Sequence, residues 1–111
     1  MFFSLIALTA AAASMQADPV NGARRAYTEC LQSYMRAQLE QRTEPTAFEA
    51  AVASQCSDRA AAFTAAVVQR DSRADGRARA EENARSQMEE IRATKIEYYA
   101  DYHATNSMPP D

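Results

Sequence analysis

Apolar residues recur along this chain at intervals of three and four, the spacing of one face of an α-helix. The first stripe is Tyr27, Cys30, Leu31, Tyr34, Met35 and Leu39, with Arg24, Arg25, Glu29, Arg36, Glu40 and Arg42 on the remaining surface. It predicts a helix over about 23–42. Pro45 then disfavours helical geometry at the residue before it, and Thr46 with Glu49 makes a capping-box pattern. A second helix is expected over about 46–70, with Phe48, Val52, Cys56, Ala60, Phe63 and Val67 as its stripe. From Gln69 to Gln87 nothing is more apolar than alanine, and the stretch Asp71 to Gly76 holds the breaker signals of this half. A third helix is expected over about 77–103. The pairs Arg77–Glu81, Glu81–Arg85 and Arg85–Glu89 lie four residues apart along one edge of it. Its apolar face is thinner: Ala84, Met88, Ile91, Tyr98 and Tyr102, interrupted by Lys95. The end of the chain, 105–111, reads as a disordered tail.

These patterns predict an all-α protein, an antiparallel helical hairpin with a third long helix. The third helix has two possible courses. Folded back after a turn near residue 73, its partners on the second helix sum to about 147. That places Tyr99 by Phe48, Tyr102 by Pro45 and Ile91 by the cysteines. Running on through Gly76, at a cost of about 1 kcal/mol against alanine, it is extended. Its thin face then dimerises or binds another chain, and Tyr98, Tyr99 and Tyr102 form an exposed interaction patch. A monomer fits the first course and a homodimer the second.

The N-terminal run from Met1 to Ala13 is uncharged and mostly apolar. It is shorter than the roughly 20 residues a membrane-spanning helix needs, and it has the small-residue tail of a secretory signal. Residues 1–17 are therefore expected to be a signal peptide, cleaved after Ala13 or Ala17, ahead of a helical domain over 18–104. No cysteine follows the apolar run directly, as a lipoprotein signal requires, so no stable membrane insertion is expected after cleavage. Eleven Arg against one Lys, with 25 Ala, match GC-rich codon usage and point to a bacterial source. Export then means the periplasm or secretion.

Without that segment the composition changes meaning. Only ten of the remaining 94 residues are Leu, Ile, Val or Phe, below the level of about 20% expected of a well-cored domain. Alanine, the best helix former, supplies helices with shallow interfaces. A small core of this kind needs a staple. The two cysteines supply one. Helices joined near residue 43 bring positions together when their numbers sum to about 86, and Cys30 with Cys56 does so. In an oxidising compartment this pair is a disulfide. Closing a loop of about 27 residues contributes roughly 3.5 kcal/mol by chain entropy.

The search for chemistry returns little. His103 is the single histidine, and Asp101 stands two positions away, where helical metal ligands need three or four. No cluster of metal ligands, nucleophile–base set, haem-attachment motif or phosphate loop is present. No catalytic residue and no cofactor is therefore expected. The net charge of −3 argues against a nucleic-acid partner. The expected function is a small exported helical module, binding or structural and not catalytic, with an unidentified protein partner. The export signal, the long Arg-rich amphipathic helices and the scattered Met resemble the Spy/CpxP-type group of periplasmic chaperones. That resemblance implies a stress chaperone as the alternative function. The group's Leu-Thr-x-x-Gln motif is absent from 18–111, where the chain's one Leu-Thr, Leu8-Thr9, does not fall.

Overall fold

A computed structural model describes residues 18–110; the expected signal segment, 1–17, lies outside them. The described chain is helical throughout, without a strand. Its helices are α1 (Pro19–Glu40), α2 (Pro45–Val52), α3 (Ser57–Asp75) and α4 (Arg77–Thr105).

Helix α1 begins at Pro19, four residues before the start expected near residue 23. The Asp18 carboxylate accepts from the backbone N–H groups of Val20 and Asn21, both at 3.1 Å. Pro19 fills the first position, where no donor is missed. The helix closes on Arg42 in the left-handed region (φ 56°). The Arg42 and Thr43 N–H groups return to the Leu39 and Gln38 carbonyls at 3.0 and 3.1 Å. Helix α4 ends in the same way. Asn106 is left-handed, and the Asn106 and Ser107 N–H groups donate to the His103 and Tyr102 carbonyls. Both ends are Schellman closures made without glycine.

The single helix expected over 46–70 is broken. Helix α2 stops at Val52, and a turn with hydrogen bonds from Ser54 to Ala51 and from Gln55 to Val52 leads to Cys56, at φ 60° and ψ 31°. The reason is the stripe itself. Residues spaced by four drift around a 3.6-residue helix, so Phe48 and Val67 would point about 100° apart on an unbroken one. Both have no exposed surface. The turn re-aims the chain so that Phe48 and Val52 join one buried cluster and Phe63 and Val67 another. A non-glycine residue in this conformation costs on the order of 1–2 kcal/mol, and burial on both sides of the turn offsets it.

Cys56 is bonded to Cys30, with Cα atoms 6.1 Å apart, and no described cysteine is free. The disulfide expected from the sequence is present.

At Gly76 the backbone takes φ 82° and ψ 155°, a conformation that only glycine adopts without strain. The chain reverses there. Asn83 Nδ2 donates to Asp71 Oδ2 at 3.2 Å, although twelve residues along one helix would separate them by about 18 Å. The course through Gly76 as one long helix does not occur. Side-chain bonds from Arg24 to Gln87, Lys95 to Gln32 and Arg42 to the His103 carbonyl then join α1 and its closing turn to α4. Their sequence separations are 63, 63 and 61, so the two helices run in the same direction in a fixed register.

The core has two parts. Tyr27, Leu31, Met35, Leu39, Phe48, Val52 and Tyr99 form the first, and Val20, Phe63, Val67 and Ala84 the second. Met88 and Ile91 pack against both. The tail expected to be disordered over 105–111 starts with the last residue of α4. The Asn106 closure turns the chain back, Pro109 is buried, and its carbonyl accepts from Arg36 Nη1 at 2.6 Å.

Candidate interaction surface

An open groove of about 910 Å³ runs between α3 and α4, near the reversal at Gly76. Its composition follows from the stretch of sequence that lacks large apolar residues. Ala84 forms a buried floor, with Val68, Met88 and Thr64 half-buried around it. Ala61 and Ala65 line the α3 side and are exposed. Small residues leave two adjacent helices with a trough between them instead of a filled seam.

The rim is charged. Arg73 on α3 and Arg77 and Arg85 on α4 stand over the trough with Glu81. Glu81 pairs with Arg77 at 3.4 Å across one turn of α4. This is one of the three pairs expected along that edge. Beyond the groove, Arg70 holds the Asp71 carboxylate at 2.7 Å, and its hydrogen bond, with a further one from Asn83, keeps that carboxyl below the usual range.

The three tyrosines do not share one surface. Tyr99 is fully buried: its ring stacks on Phe48 with centroids 3.9 Å apart, and its hydroxyl donates to the Thr43 carbonyl at 2.6 Å. Burial pushes the Tyr99 phenol up from its ordinary value, against the Thr43 hydrogen bond and the Arg42 charge. Tyr102 is half-buried against the same cluster. Tyr98 is 49% exposed on the other side of α4. The pairing of Tyr99 with Phe48 was readable from the number sum, whereas the helical spacing alone picks Tyr98 for the inner face.

His103 is half-buried and lies 6.1 Å from the Tyr99 ring, while its carbonyl accepts from Arg42. Among the described residues no three of His, Cys, Asp and Glu converge as metal ligands. Lys95, which interrupts the apolar stripe, reaches Gln32 Oε1 at 2.8 Å, and burial lowers its pKa. Tyr27 is raised by burial, with Arg92 acting against that rise.

The groove itself is what the sequence reading missed. Its signal was the run from Gln69 to Gln87, where arginines accompany alanines and nothing larger fills the seam. Compared with protein-family models, with curated proteins and with solved structures, the chain matches none.

Proposed function

We propose that this chain is a small exported protein, periplasmic or secreted, that works as a non-catalytic binding or structural module. The observation that carries the reading is the open α3–α4 groove, a concave surface with an apolar floor and a charged rim. A trough of this shape suits a helix or an extended segment of a protein partner. The Cys30–Cys56 disulfide supports an oxidising compartment. No helix among the described residues is long and apolar enough to cross a membrane. In this reading α1 and the α2–α3 pair form an antiparallel hairpin held by the disulfide. Helix α4 is the third member of the bundle, and the chain acts as a monomer with one face open.

The test is localisation joined to contact mapping. A photo-crosslinking residue at position 65 in the full chain is expected to capture a defined partner in the periplasmic or secreted fraction. The same residue at exposed position 98 is expected not to capture it. Recovery of the chain in the cytosol with reduced cysteines overturns the reading.

A stress chaperone of the Spy/CpxP type is the second reading, favoured by the arginine-rich rim on long helices. It predicts that the protein suppresses aggregation of an unfolded client at stoichiometric ratio.

A further inference from the structure

We infer that the α3–α4 groove receives an acidic amphipathic helix of another protein, its small apolar side seated on the floor and its carboxylates under the arginines. This rests on the binding-module reading above and names the partner's chemistry.

Charge is the first argument. The chain as a whole is net −3, yet the groove rim holds three arginines against one glutamate. Glu81 is engaged by Arg77. Neither Arg73 nor Arg85 takes part in an ion pair among the described residues. The arginines stand on both walls, Arg73 on α3 and Arg77 and Arg85 on α4. Carboxylates on the two flanks of one inserted helix therefore each find a guanidinium.

Shape is the second argument. The floor is Ala84 with Val68 and Met88, recessed between two helices. A helix presents a ridge of side chains that enters such a trough. A bilayer surface meets the exposed rim and leaves the floor empty. A second copy of this chain is disfavoured for the same reason that an acidic partner is favoured. A two-fold contact sets this net-positive rim against its own copy.

The test uses oxidised protein recovered from cells expressing the full chain. Two labelled synthetic helical peptides share one alanine- and leucine-bearing face, and carry either glutamates or lysines on the other. Fluorescence anisotropy at physiological salt should show the glutamate peptide binding about tenfold or more tightly than the lysine peptide. The double variant Arg73→Glu, Arg85→Glu should reverse that order, and rising salt should erase it. Ala65→Trp, at an exposed position, should abolish binding of the glutamate peptide with the circular dichroism spectrum unchanged. If both peptides bind equally and Ala65→Trp blocks both, the acidic partner is wrong while the binding surface survives. If neither peptide binds, the binding surface and the acidic partner are overturned together. Binding to anionic lipid vesicles without binding to either peptide, or a dimer in solution that Ala65→Trp dissociates, overturns the inference in favour of a membrane or a second copy.

Discussion

The rings of Phe48 and Tyr99, one on α2 and one on α4, lie 3.9 Å apart at an interplanar angle of 4°. Tyr34 also stacks on Phe48, with ring centroids 5.7 Å apart. Through the Tyr99 hydroxyl, the stack is tied to the Thr43 carbonyl in the connection between α1 and α2. One residue of α4 thus fixes both the short helix and the turn that leads into it.

Tyr99→Phe should therefore cost about 1 kcal/mol, the loss of one hydrogen bond whose acceptor is left half-buried. Tyr99→Ala should cost about 3–5 kcal/mol, because the ring and its stacking are removed from a closed core. Thermal denaturation separates the two, at about 4–8 °C per kcal/mol for a chain of this size. Equal losses for both variants would mean that the ring contributes nothing beyond its hydroxyl.

Cys30→Ala should lower stability by roughly 3.5 kcal/mol, the chain-entropy value for a loop of about 27 residues. Thiol titration of the folded wild-type protein should find no free sulfhydryl. The structure adds a local consequence, since Cys56 sits in the left-handed turn between α2 and α3. With the bond cut, that turn is held by packing and its own few hydrogen bonds, so amide hydrogen exchange should accelerate across 53–57 before it does in α1. Two titratable thiols in the oxidised preparation would defeat the staple.

The staple was readable because three independent expectations met on Cys30 and Cys56: the face of each stripe, the number sum about the turn near residue 43, and the pairing of cysteines expected in an oxidising compartment. The break at 53–56 was not readable. No Gly or Pro stands there, and Ala53, Ser54 and Gln55 are compatible with helix. It follows from where Phe48 and Val67 must point once α1 and α4 are in place, which is a tertiary demand. The Asp18–Pro19 start of α1 is present in the sequence as a cap followed by a first-turn proline, but the apolar stripe that predicts the helix begins only at Tyr27. The groove was legible only as an absence of large residues between Gln69 and Gln87. The sequence does not show which side of a helix pair such an absence leaves open.

The two glycines should respond in opposite directions to the same substitution. A Cβ on Gly22 meets nothing within 4 Å, and the residue lies inside α1. Gly22→Ala should stabilise the protein by about 0.5–1 kcal/mol through helix propensity. A Cβ on Gly76 also meets nothing within 4 Å, but the backbone is at φ 82°. Gly76→Ala should destabilise by about 1–3 kcal/mol. Its preferred escape is to continue α3 into α4. A more extended or dimeric molecule by small-angle scattering would accompany the loss, and a stabilised monomer would contradict the reversal.

Alkaline pH should weaken the fold through its buried phenols. Burial raises the pKa of Tyr27 and Tyr99 above the ordinary value of 10.0. In the unfolded chain both ionise first, so the unfolded state holds fewer protons as pH climbs through that region. Their contribution is therefore full below about pH 10 and is lost as pH rises through the raised folded values. Lys95 acts with the opposite sign. Burial lowers its pKa from 10.5, so its charged form is disfavoured in the folded state at neutral pH. That penalty fades as pH rises towards the unfolded value. Melting temperature followed from about pH 8 to about pH 11 should fall for the wild type, with two phenols set against one ammonium. Tyr99→Phe should make the fall shallower, and Lys95→Met should make it steeper. A Tyr99→Phe variant that loses stability with pH as steeply as the wild type would remove Tyr99 as a source of the alkaline transition.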